Sequence, residues 1–202
     1  MCPPTTDAAT PLHFDVTLPD WTVHELAKLP THFPTVEARM AEVIRFSRLN
    51  VEHRTGGPFA AGVFERDSGR VIVIGVNRVM VSGISSAHAE VVTLSLAQTL
   101  IGTWDLGGGG RPAYQLVVNW RPCVMCYGAT LWSGIRSLAI AGSGPELEAI
   151  TGFDEGPITP VWQEELRSRG VELINNVLHA EAVKVFEAYR DSGQTVYNAS
   201  RR

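Results

Sequence analysis

Two short segments of this chain hold residue types that bind a soft or borderline metal ion. One reads Ala87-His88-Ala89-Glu90, the other Pro122-Cys123-Val124-Met125-Cys126. Zinc takes thiolates and neutral imidazoles, and a catalytic zinc uses three protein ligands and keeps its fourth position for water. A Cys-x-x-Cys pair on a first helical turn sets both sulfurs on one side, where unpaired helix N–H groups favour the thiolate. Pro122 presets the helical φ and has no N–H to leave unpaired. His88 completes the triad if the two helix starts converge. Glu90 would then take a proton from the water and deliver it to a substrate.

Each segment alone is ambiguous. Cys-x-x-Cys also marks redox pairs and half of a structural zinc knuckle, and His-x-Glu alone arises by chance. A structural site needs a fourth ligand, and the remaining one of three cysteines is Cys2. Jointly, the segments point to a catalytic zinc on His88, Cys123 and Cys126.

These residues need a frame that brings two helix starts together. Residues 1–34 carry six of the twelve prolines and read as an extended arm, tied to a neighbour's surface by Leu12, Phe14, Val16 and Trp21. From Thr35, a plausible N-cap, Val36, Met40, Val43, Ile44 and Ser47 recur at helical steps until Gly56-Gly57-Pro58. Phe59–Arg66 and Val71–Asn77 read as a hairpin turning at Asp67-Ser68-Gly69. A Ser/Gly loop over 82–86 leads to a helix over 87–100. Strand Tyr114–Asn119, helix Cys123–Ser133 and strand Leu138–Ala141 follow. Beyond them come helical 145–150, a loop over 152–157, helical 161–169, strand 171–175 and helical 180–189. The end, 191–202, is polar. Strands separated by helices give an α/β domain over 35–190 with helices on both sheet faces.

Composition removes other classes. The chain has 202 residues, 45% apolar and 19% charged, with a formal net charge of -4. That balance offers no basic footprint for a phosphate backbone. No apolar run approaches the roughly 20 residues of a bilayer span, and the start lacks a secretory pattern. Odd cysteine usage suggests a reducing cytoplasm. His13, His24, His32, His53 and His179 lie outside any ligand spacing.

The pattern H-x-E…P-C-x-x-C marks zinc-dependent base deaminases, and from Thr35 to Ile158 the chain resembles the cytidine-deaminase-like superfamily. Gly56-Gly57-Pro58-Phe59, Asn77, Ala87 to Val91, Pro122 to Ala129 and Gly152-Phe153-Asp154-Glu155 look most like its bacterial guanine deaminases. The resemblance implies a three-layer α/β/α fold with a mixed five-stranded sheet. It implies hydrolytic deamination of a free base, guanine before cytosine, adenine in tRNA or an aminotriazine; a zinc-stabilised scaffold is the non-enzyme alternative. Glu155 would face the substrate amine, where the family pattern has Asp. Asn77 would hold the ring edge, Ala89 would lie at the base, and Phe59 and Trp132 would wall the purine, Trp132 from a neighbouring subunit. Trp120-Arg121 stands where an acidic residue or Ser is common; Trp120 would stack on the base or pack the core. The family's C-terminal segment crosses to a partner in a homodimer and brings a tyrosine, here Tyr197 before Tyr189. Backbone N–H groups at the Cys123 helix start would stabilise developing negative charge.

Overall fold

The computed structural model describes residues 13–199. Helix α1 (Asp20–Leu26) precedes α2 (Val36–Glu52), a hairpin of β1 (Ala60–Glu65) and β2 (Val71–Val76), and the short α3 (Val79–Ser82). Then come α4 (Ala89–Ile101), β3 (Tyr114–Val118), α5 (Val124–Ser133), β4 (Ser137–Ile140), α6 (Glu146–Thr151), α7 (Trp162–Ser168), β5 (Glu172–Ile174) and α8 (His179–Asp191). The five strands form one mixed sheet in the order β2-β1-β3-β4-β5. β1 is antiparallel to both neighbours, and β3, β4 and β5 run parallel.

Two apolar layers sandwich this sheet. On one face, Met40, Val43 and Phe46 of α2 and Val185 and Phe186 of α8 pack on Phe64, Ile74 and Val117. On the other, Leu94 and Ala97 of α4, Tyr127 of α5 and Leu166 of α7 cover Val63, Leu116 and Leu138. Every residue of β3 is buried, as expected of a central strand covered on both faces. The three-layer α/β/α architecture follows.

Local signals set the helix ends. Thr35 Oγ1 accepts the Ala38 N–H at 3.1 Å, capping α2. Gly102 and Gly134, both left-handed, end α4 and α5. The sharp stop after α5 lets the chain return directly as β4.

The first segment differs from the expected extended arm. Residues 20–26 are helical, because Pro19 stands just ahead of the first turn, where its missing N–H costs nothing. The segment packs on its own chain. Trp21 stacks on His53 with ring centroids 5.3 Å apart and donates Nε1–H to Thr55 at 3.0 Å. Val16 and Leu18 join a small cluster around Val79, Ala87 and Val92. Phe14 is exposed, and Leu12 lies outside the described residues. The loop expected at 82–86 is preceded by α3, a single turn too short to show a period.

Candidate active site

The carboxyl end of β3 and the starts of α4 and α5 meet at one point, the crevice that parallel strands leave at their carboxyl edge. His88 is the N-cap of α4 and Cys123 the N-cap of α5, each in extended backbone. Cys126 lies on the first turn of α5. One ligand atom from each of His88, Cys123 and Cys126 lies within 4.8 Å of the others, and His88 Nδ1 is 3.5 Å from Cys123 Sγ. Bonds of about 2.0–2.3 Å to a tetrahedral zinc require such spacing.

The charges of the site fit a cation as well. The Cys126 thiol and the His88 ring hold the Cys123 thiol down at about 4, and the Cys126 amide helps. Cys126 is pushed well up by its bond to Cys123 and by burial. Burial, then the Cys123 charge, raises Glu90 to about 7. The same causes, with Glu90 added, raise Glu155 to about 8. His88 also moves up, because Cys123, Glu90 and Glu155 outweigh its burial. Four acids crowd one imidazole, and a divalent ion relieves that repulsion.

A cavity of about 620 Å³ opens beside these groups, within the range of small-molecule sites. His88, Glu90, Cys123, Glu155, Phe59, Trp120, Arg121, Phe153 and Tyr197 line it. Phe59, Phe153 and Tyr197 form a run of aromatic contacts at centroid spacings of 5.2 and 4.8 Å. Glu90 and Glu155 are 6% and 7% exposed, so their carboxyls face the cavity in little water.

The expected site residues separate into groups. Asn77 is fully buried just past β2; its Oδ1 accepts from Gly57 and Val79 N–H, and its Nδ2 has no partner. Ala89 is buried on the first turn of α4 and accepts from Thr93 Oγ1; it is not among the cavity-lining residues. Trp120 belongs to the core. Its ring stands at right angles to Phe186 and tilted against His179, is 1% exposed, and also lines the cavity. Trp132 is 82% exposed on α5 and does not line this chain's cavity.

The C-terminal segment lies along its own chain's cavity. Gly193 turns it back after α8 with φ 64°. Tyr189, deeply buried, donates its hydroxyl to the Thr195 carbonyl at 2.6 Å, and Gln194 Nε2 donates to Val51. Asn198 accepts the Asp154 N–H at 2.9 Å and donates to the Gly152 carbonyl at 2.8 Å. Tyr197 is thereby held against Phe153, 6.3 Å from the His88 ring, with its hydroxyl buried and unpartnered.

Two amides at the start of α5 are already engaged. The Val124 N–H donates to the Glu155 carbonyl at 3.1 Å, and the Cys126 amide bonds to Cys123. These amides hold the Glu155 loop and the thiolate and are not free for a substrate oxygen. Sequence reasoning missed Phe153, Asn198 and the buried guanidinium of Arg121. The signal for Phe153 stood in the Gly152-Phe153-Asp154-Glu155 loop, beside the acid that drew attention.

Comparison with known proteins agrees with this geometry. Residues 35–141 match the family of the cytidine and deoxycytidylate deaminase zinc-binding region. The guanine deaminase of Bacillus subtilis is 29% identical over 136 residues, 67% of this chain and 81% of that protein. The tRNA-specific adenosine deaminase of the same organism is 30% identical over 105 residues, 52% and 59% of the two chains. The solved guanine deaminase from Nitrosomonas europaea is 42% identical with a TM-score of 0.84, covering 89% of this chain and 97% of that one. Further structures of that protein hold 8-azaguanine and 2,6-diaminopurine. No helix of the described residues is long and apolar enough to cross a membrane. The chain belongs to the zinc-binding cytidine and deoxycytidylate deaminase family, and within it is a zinc-dependent deaminase of the guanine-deaminase-like kind.

Proposed function

We propose that the substrate is free guanine, converted with water into xanthine and ammonia. The observation that carries the reading is the Glu155 carboxylate, buried in the same cavity as the metal donors and Glu90. Guanine presents N1–H and a 2-amino group, both donors, and a carboxylate is their natural acceptor. Adenine carries an acceptor at N1 and would leave that carboxylate unpaired, at a cost that for a charged group is about 1.4 kcal/mol or more, about tenfold or more.

His88, Cys123 and Cys126 hold the zinc. When bound, the metal supplies Lewis-acid chemistry and brings the pKa of a water toward about 7. Glu90 receives the proton of the water that adds at carbon 2 and passes it to the adjacent ring nitrogen. The proton of the new hydroxyl on carbon 2 then goes to the 2-amino group by way of Glu90, with Glu155 beside it, and the carbon–nitrogen bond breaks. Carbon 2 gains one oxygen and loses one nitrogen, which leaves as ammonia. Phe59, Phe153 and Tyr197 flank the ring and exclude water; Asn77, buried and outside the cavity lining, keeps an unpaired Nδ2 donor that a ring acceptor would satisfy.

The tail favours a small substrate over a nucleic acid, because residues 197–199 line the cavity. A second copy of the chain is assigned to the outer face of α5. Met125 and Trp132 stand two turns apart there, with open space at Gly128 between them. Trp132→Arg is then expected to turn a dimer into a monomer in sedimentation, and an unchanged coefficient removes the assignment. Two cysteine ligands suit a reducing compartment such as the cytoplasm. The substrate reading is tested by ammonia release from guanine, adenine, cytosine, their nucleosides and aminotriazines. Guanine should lead by at least about tenfold; preference for any other member of the panel overturns it.

A further inference from the structure

Buried arginines in this fold are otherwise satisfied. Arg39 donates to the Phe33 carbonyl and to Gln115, and Arg78 to the carbonyls of Thr17 and Thr55. Arg121 is the exception. It is 9% exposed, lines the cavity, and its Nη1 is buried with no hydrogen-bond partner. A charged donor left unpaired in a dry site is costly unless something else fills the gap. Nor does it pair with Glu155, which lines the same cavity and feels its charge. The two side chains each keep bonding capacity for whatever enters the cavity.

Guanine's edge offers a match. Next to N1–H, which a carboxylate accepts, stands the 6-oxo oxygen, an acceptor that a guanidinium serves. In 2,6-diaminopurine both groups are reversed: N1 accepts and the 6-amino group donates.

We propose that Arg121 is a specificity-determining residue that donates to the 6-oxo oxygen of the bound purine, so that Arg121 and Glu155 together select 6-oxopurines over 6-aminopurines. This rests on the guanine reading above and adds to it the group that reads position 6. A site that bonds a substrate atom rejects the analogue lacking it far more strongly than an apolar pocket rejects a change of size. Pro122 and the Arg121 N–H, which donates to the Gly142 carbonyl at 2.8 Å, fix the backbone from which the guanidinium reaches.

The test compares kcat/KM for guanine and 2,6-diaminopurine in the zinc-loaded parent, Arg121→Met and Arg121→Lys, with zinc content and melting temperature alongside. The parent should prefer guanine at least about tenfold. Arg121→Met keeps an apolar stem without the donors. It should lose about tenfold or more on guanine, mainly through KM, and stay within about threefold on 2,6-diaminopurine. Arg121→Lys should recover part of the preference. Should Arg121→Met fail to fold, the Arg121→Lys ratio decides alone: a preference equal to the parent's on a lowered guanine rate overturns the proposal. Equal losses on both substrates, or none, also overturn it and leave the guanine reading intact. Failure of the parent to deaminate guanine at all strikes that reading instead.

Discussion

The hydroxyl of Tyr197 stands 2.7 Å from where a side-chain carbon on Gly57 would lie. The loop before β1 and the tail at Tyr197 therefore close on each other, and Gly57 is the residue that allows it. Gly57→Ala is expected to push Tyr197 off the cavity and raise KM roughly tenfold, equivalent to about 1.4 kcal/mol. Its melting temperature should change little, since Tyr197 only packs against the core. A KM equal to the parent's would show that the tail does not help to hold the substrate.

Metal loss should be visible without any substrate. Zinc at about 100 times its Kd adds about 2.7 kcal/mol to folding stability, which for a chain of this size raises Tm by roughly 5–10 °C. His88→Ala and Cys123→Ala should abolish that increment and bind no stoichiometric zinc. Full zinc in either variant would break the ligand assignment.

Glu90 and Glu155 are separable by kinetics. Glu90→Gln keeps shape and metal but cannot carry a proton, so kcat should fall about 10²- to 10⁴-fold. Glu155→Gln should lower kcat/KM for guanine at least about tenfold, with zinc content retained. A Glu155→Gln enzyme within threefold of the parent would move substrate selection elsewhere.

The N-terminal helix is tied to the body by charge. Arg45 of α2 contacts Glu25 of α1 at 2.5 Å, and Lys28 adds a bond at 2.7 Å. Lys28 and Arg45 hold the Glu25 carboxyl down at about 2, from an ordinary 4.5. A carboxyl lowered by folding stabilises above its unfolded pKa, and that stabilisation disappears as pH falls from 4.5 through about 2. Urea midpoints of the parent and Glu25→Gln should differ at pH 7 and converge below pH 4.5. A gap that stays constant with pH would deny the ion pair any role.

The zinc ligands and Glu90 were legible because each set lies within four residues, and helix starts gave their orientation. The α/β alternation was legible for a similar reason, since the long helices carry their own period and the buried strands are short apolar runs. Trp120 was not decidable, because the contacts with Phe186 and His179 that place it join distant parts of the chain. Tyr197 reaches its own chain's cavity through the turn at Gly193 and the Asn198 bonds. Those contacts span more than forty residues and leave no local trace. In α1, the prolines on either side hid a helix that Pro19 helps to start. Arg121 looked like a departure before Pro122, and only burial shows that its guanidinium lacks a partner.

The most direct test incubates the zinc-loaded protein with guanine and follows xanthine and ammonia together, with Glu90→Gln as the control. The account predicts equal amounts of the two products, formed at least about 10²-fold faster than by the control. Ammonia release no faster than that of Glu90→Gln, with zinc fully bound in both, would contradict it.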